Sequence, residues 1–137
     1  VSRTGNLKCT ARELFDFSTD IRNLRQFIPE NAGISAMDVE KESCSFKVNS
    51  LGNVNVHISE KEPWNKVVFN GILFQTNDFS LRMDITENNA GKADVILRIS
   101  AELNPMLKMM VSGPVQSFLT RMINEMEKFE GWNNVSG

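Results

Sequence analysis

The sequence predicts an α+β fold in which one curved antiparallel sheet is covered on its dry face by a long C-terminal helix. Three observations carry this. From about residue 34 to residue 103, apolar and polar side chains alternate at period two, with only short turns between the runs. From 105 to 130 the apolar spacing changes to three and four. A single sheet with one apolar face needs a cover, and only the last segment is long and apolar enough to supply it. A two-sheet sandwich would leave the stripe of that helix without a partner.

Residues 1–8 read as a short strand. Thr10 and Glu13 form a capping-box pattern that opens a helix, with Ala11, Leu14, Phe15 and Phe17 grouped over two turns. Asp20 can cap a second short helix carrying Ile21, Leu24, Phe27 and Ile28, and Pro29 ends it. Six strands follow. Cys44-Phe46-Val48, Val54-Val56-Ile58, Val67-Phe69, Phe79-Leu81-Met83-Ile85 and Val95-Leu97-Ile99-Ala101-Leu103 mark their apolar faces. Turn signals fall at Ser50-Leu51-Gly52-Asn53, Glu62-Pro63-Trp64-Asn65 and Asn88-Asn89-Ala90-Gly91. Connections this short join antiparallel neighbours, because a parallel pair needs a long crossover. Gly71 inside a strand points to a bulge or a close backbone approach. Asn104-Pro105 opens the last helix, whose stripe is Leu107, Val111, Val115, Phe118, Met122, Met126 and Phe129, widened by Met110, Leu119 and Ile123. Gly113-Pro114 predicts a kink there, or a short segment joined to a longer one.

A chain of 137 residues is expected to form one domain, 1–137. Its 15 basic and 17 acidic residues are scattered, for a net charge of −2, so neither nucleic acid nor an anionic membrane surface is an expected partner. No apolar run is long enough for stable membrane insertion, and residues 1–6 lack the apolar core of an export signal; the expected location is cytoplasmic. Cys9 and Cys44 have neither metal spacing nor a disulfide framework and are expected as free thiols, Cys9 partly exposed and Cys44 a small core residue. No cofactor or metal is expected. One histidine and no tyrosine leave few proton-transfer groups. His57 alternates with Val56 and Ile58, which puts it on the wet face. Trp64 and Trp132 could each meet a partner, though an indole folded over the edge of a core is the commoner arrangement.

The order of elements resembles the START-like superfamily, also called SRPBCC or helix-grip, over essentially the whole chain. The residues that carry the resemblance are Thr10-Ala11-Arg12-Glu13-Leu14-Phe15-Asp16-Phe17, then Asp20, Leu24 and Phe27-Ile28-Pro29, with Glu60-Lys61-Glu62-Pro63 before a strand and Glu102-Leu103-Asn104-Pro105-Met106-Leu107 entering the last helix. These are similar to small bacterial members, among them polyketide cyclase/dehydrase-like and lipid-transport-like proteins. The resemblance implies a sheet gripping the helix around a cavity that often holds a hydrophobic ligand.

The candidate ligand-binding residues are Val56, Ile58, Phe69, Leu81, Met83, Val95 and Leu97 from the sheet, with Val111, Val115, Phe118, Met122 and Met126 from the helix. Five of the seven methionines, Met106, Met109, Met110, Met122 and Met126, lie on that helix; flexible thioethers suit variable apolar ligands and also fill gaps in a core. Three functions stay open at this point: binding or carriage of a hydrophobic small molecule, a cyclase/dehydrase-type enzyme, and a protein-interaction module with a filled interior. Strand alternation puts no ionisable side chain on the inner face, which weighs against the enzyme.

Overall fold

The computed structural model describes residues 2–27, 34–48, 52–73 and 77–132. The fold is the α+β arrangement the sequence predicts: a curled, half-barrel antiparallel sheet with a long C-terminal helix packed against it. The strands are β1 (Ser2–Asn6), β2 (Ile34–Val39), β3 (Ser43–Val48), β4 (Gly52–Glu62), β5 (Lys66–Leu73), β6 (Asn77–Glu87) and β7 (Ala93–Ala101), and the helices are α1 (Ala11–Ser18), α2 (Ile21–Leu24) and α3 (Pro105–Lys128). Spatially the strands run β1-β7-β6-β5-β4-β3-β2. The first and second strands therefore occupy opposite edges, and the two short helices carry the chain between them.

Local chemistry sets the helix starts. The Thr10 hydroxyl accepts from the Glu13 N–H at 3.1 Å while the Glu13 carboxylate accepts from the Thr10 N–H at 2.9 Å, so both halves of the box form. Asp20 accepts from the Arg22 N–H at 3.0 Å and opens α2, which tightens into a 3-10 turn at Arg25–Phe27. Ile28 and Pro29, the expected end of this segment, lie outside the described residues, as do Ser50 and Leu51 of one turn signal. The Asn104 side chain caps α3 by accepting from Leu107 N–H at 2.9 Å.

The structure narrows two alternatives about the backbone. The last helix is one unbroken run through Gly113-Pro114, not two segments. The β4 bulge lies at Ser59, between Ile58 and Glu60, instead of at Gly71. Gly71 is instead the close approach: a Cβ there would meet the Asn55 carbonyl and come within 2.6 Å of the Phe79 ring. A second irregularity, between Ser35 and Asp38, bends β2. Bulges like these raise local twist and help curl the sheet. In the β4–β5 turn, the Asn65 N–H donates to the Glu62 carbonyl at 3.0 Å, and Trp64 holds a φ of 65°. That left-handed position normally takes glycine and strains a bulky residue.

The β1 edge is sealed by α3. The Asn6 N–H donates to Glu127 at 3.0 Å and the Arg3 Nε donates to Thr120 at 3.0 Å. Gly5 lets the helix lie close, since a Cβ there would sit 3.0 Å from Ile123.

Candidate functional site

Strand register sorts the inner face into rows that cross the sheet. One row is Val56, Gly71, Phe79 and Ala101; the next is Ile58, Phe69, Leu81 and Ile99. The third is Val67, Met83, Leu97 and Arg3, and the fourth is Ile85, Val95 and Gly5. α3 starts beside the first row, where β7 ends, and its C-terminus reaches the far end of the sheet. We call the end of the first row the rim and the other the base.

The base is closed. Val67, Met83, Val95 and Leu97 are fully buried, together with Leu14 and Phe17 of α1 and Leu119 and Met126 of α3. Below them four rings meet: Phe17, Phe27, Phe129 and Trp132 stand in mutual contact, with centroids 4.9 Å apart for Phe129–Trp132 and 5.1 Å for both Phe17–Trp132 and Phe27–Phe129. The Trp132 Nε1–H donates to the Phe129 carbonyl at 3.0 Å, which satisfies the indole in this apolar setting. Trp132 thus caps the core. Trp64 is half exposed, with the Arg12 guanidinium 5.9 Å from its ring centroid.

Toward the rim burial is uneven, with Val54 and Leu103 buried outside the main cluster. Val56, Ile58, Leu81, Ile99 and Phe118 are half-buried and pack against the core from outside it. Val115 is half-buried and Val111 is buried apart from the main cluster. Met106, Met109 and Met110 project from the first half of α3, 69%, 81% and 56% exposed. Met110 therefore does not widen the buried stripe as its spacing predicts. The twelve candidate residues divide accordingly. Phe69, Met83, Val95, Leu97, Met122 and Met126 belong to the packed core, whereas Val56, Ile58, Leu81, Val111, Val115 and Phe118 lie toward the rim.

Ionisable groups stay off this face with informative exceptions. His57 is exposed and pairs with Ser43 and Asn70 on the outer face. Arg3, which sequence alternation did not place inside, shares a row with Leu97, but its Nε is spent on Thr120 and its Nη1 on the Ser2 carbonyl at 2.8 Å. β1 has no alternation strong enough to have shown this; only its pairing with β7 does. Cys44 lies on the inner face opposite Val56, half-buried, and burial pushes its thiol pKa up. Cys9 is fully buried instead of partly exposed, and burial raises its pKa to about 12. Both cysteines are free. Asp20, also buried, has its carboxyl held below the usual range by Arg22, whose Nε and Nη2 donate at 2.9 and 2.6 Å.

A hollow of about 280 Å³ opens over β2, β3 and β4; Asp38, Glu40, Ser43, Asn55 and His57 line it, and Cys44 and Val56 border it as well. Register puts these polar side chains on the outer face. Among the described residues no cluster of His, Cys, Asp and Glu could hold a metal ion, and no helix is long and apolar enough to cross a membrane.

No family model matches the chain, and no curated protein matches it. Solved structures do. A hypothetical protein from Sulfolobus tokodaii superposes with a TM-score of 0.67 at 13% identity, over 93% of this chain and 91% of that one. A protein from Chromobacterium violaceum gives 0.65 at 12% identity, over 94% and 98%. DynU16, from the dynemicin biosynthetic locus, gives 0.60 at 15% identity, over 93% of this chain but 47% of its own length. At these identities the likeness establishes the shared fold: a curled antiparallel sheet with a C-terminal helix.

Proposed function

We propose that the chain is a single START-like, helix-grip domain that binds or carries a hydrophobic small molecule, lipid-like or aromatic, between the sheet and α3. The observation that carries the reading is the graded burial of one continuous apolar face. Val67, Met83 and Leu97 are fully buried, while in the next row Phe69 is buried and its neighbours Ile58, Leu81 and Ile99 are half-buried. Apolar surface on the inner side of a grip is costly to leave incompletely covered, at about 25 cal/mol per Å². A ligand seated against Val56, Ile58, Leu81, Val111, Val115 and Phe118 would recover that cost, with the buried candidates beneath them as its floor. Ligand sites are commonly apolar with few polar groups, and Cys44, neutral at physiological pH, is such a group here. The two free thiols fit a reducing cytoplasm.

A second reading, a cyclase/dehydrase-type enzyme acting on a polyketide-like substrate, draws support from DynU16, whose locus is biosynthetic. It needs a titratable side chain directed into the site, and the inner rows toward the rim supply only a protonated thiol.

Native mass spectrometry of protein purified from its own cells tests the proposal. A retained apolar molecule, or saturable binding of a neutral fluorescent probe, is expected. Protein that emerges empty and binds no apolar probe would contradict it, and would favour an interaction module presenting Met106, Met109 and Met110.

A further inference from the structure

Resting on the reading of the inner face as a ligand site, we infer that the site takes uncharged ligands and rejects an ionised acid. All 15 lysines and arginines, and His57, fall among the described residues, so the placement of every basic side chain is known. None is buried, and only Arg3 and Lys66 are even half-buried.

The strands direct their cations to the outer face, Arg3 excepted, and those of α3, Lys108 in its first turn at the rim included, are exposed. On the sheet, Lys47, His57, Arg82 and Arg98 alternate with the inner-face residues and stand on the outer face. Lys66 pairs in register with Asp84, again outside, and is held by Glu60 at 3.1 Å and Glu62 at 3.5 Å. Lys61, past the β4 bulge, is ion-paired with Glu42 at the base end. Lys108, Arg121 and Lys128 are on exposed positions of α3. Arg3 reaches the inner register only at the seam between β1 and α3, where Thr120 and the Ser2 carbonyl engage it. The remaining cations are exposed on the helices and turns of the base end.

Among the described residues, the first turn of α3 is the feature at the rim that could attract an anion; there the Asn104 side chain accepts from the Leu107 N–H and the Asn104 carbonyl from the Lys108 N–H, which engages two of its N–H groups. Asp78 and Glu102 stand at this end, joined by the Glu102 N–H donating to the Asp78 carbonyl at 3.2 Å, and like the outer-face cations they alternate with the inner-face residues. An ionised carboxylate or phosphate drawn against Leu81, Ile99 and Phe118 would lose its hydration, and among the described residues no unengaged cation stands on the inner face to replace it. A free acid therefore binds through its protonated form, and its apparent affinity falls with the fraction protonated.

A matched probe pair tests this with the protein unaltered: a fluorescent polyene fatty acid and its methyl ester, titrated below micelle-forming concentrations. At about pH 8 the ester should bind at least tenfold more tightly than the acid. Lowering the pH by one unit should strengthen the acid by about tenfold while it stays above the acid's own pKa, and should leave the ester unchanged. Acid and ester binding alike at pH 8, or the acid binding better, would overturn the inference and leave the ligand site standing. An ester that does not bind at any pH would overturn the site itself and the inference with it.

Discussion

The base and the rim of the inner face are built by the same strands and covered by the same helix, yet they are filled differently. At the base, α1, the 3-10 turn and the segment after α3 converge from sequence-distant places, and four rings lock together over Leu14, Met83, Leu97 and Met126. At the rim, Met106 and Met109 of α3 are exposed to solvent, while its Leu107, Val115 and Phe118 are half-buried and Val111 is buried. Alternation thus decides which face a side chain takes, whereas depth of burial is decided by what arrives from elsewhere to cover it.

The largest effect should separate the halves directly. Trp132→Ala removes an indole in contact with three rings and should cost about 3–5 kcal/mol in urea unfolding. Phe118→Ala removes a half-buried ring and should cost about 1 kcal/mol. Equal losses would break the distinction between base and rim.

Gly71→Ala comes next. The new Cβ would meet the Asn55 carbonyl and the Phe79 ring, so overpacking should cost about 1–3 kcal/mol by thermal unfolding. A neutral result would mean that Phe79 swings away freely, and that the rim is looser than its contacts imply.

Asp20→Ala sharpens the base. It removes the cap of α2 and the partner of Arg22, at about 0.5–2 kcal/mol near neutral pH. Arg22 lowers the folded-state pKa of Asp20, so the stability it contributes is present above the ordinary aspartate range and lost as pH falls through the lowered value. Unfolding midpoints of parent and variant should therefore converge in acid. A constant gap down to about pH 3 would contradict the assignment.

The smallest effect belongs to the helix surface at the rim. Met109 is 81% exposed, and Met109→Ser should change stability by no more than about 0.5 kcal/mol in the same unfolding assay. A larger loss would show that the first half of α3 is covered after all.

Features governed by near neighbours along the chain are legible in the amino-acid sequence. The Thr10–Glu13 box, the Asp20 and Asn104 caps and the five strands marked by alternation each depend on chemistry within a few residues, and each appears as read. Features governed by distant convergence are not. Cys9 is buried by elements the local pattern does not show, Arg3 enters the inner register through pairing with the last strand, and Met110 keeps helical spacing where the sheet offers it no cover. For the candidate site, the face is legible and the division into floor and rim is not. Met122 and Leu81 look equivalent in sequence, but one is 4% exposed in the core and the other is half-buried.

That division makes Leu81 the position at which a ligand site and a packed core give opposite results. The measurement is Leu81→Trp, with thermal unfolding and neutral-probe binding recorded on the same samples. If the rim row borders ligand space, the indole occupies it: probe affinity should fall on the order of tenfold or more while stability moves by less than about 1 kcal/mol. A loss of about 1–3 kcal/mol, in a parent protein that binds no probe, would mean the space is packed core and would contradict a ligand site between the sheet and α3.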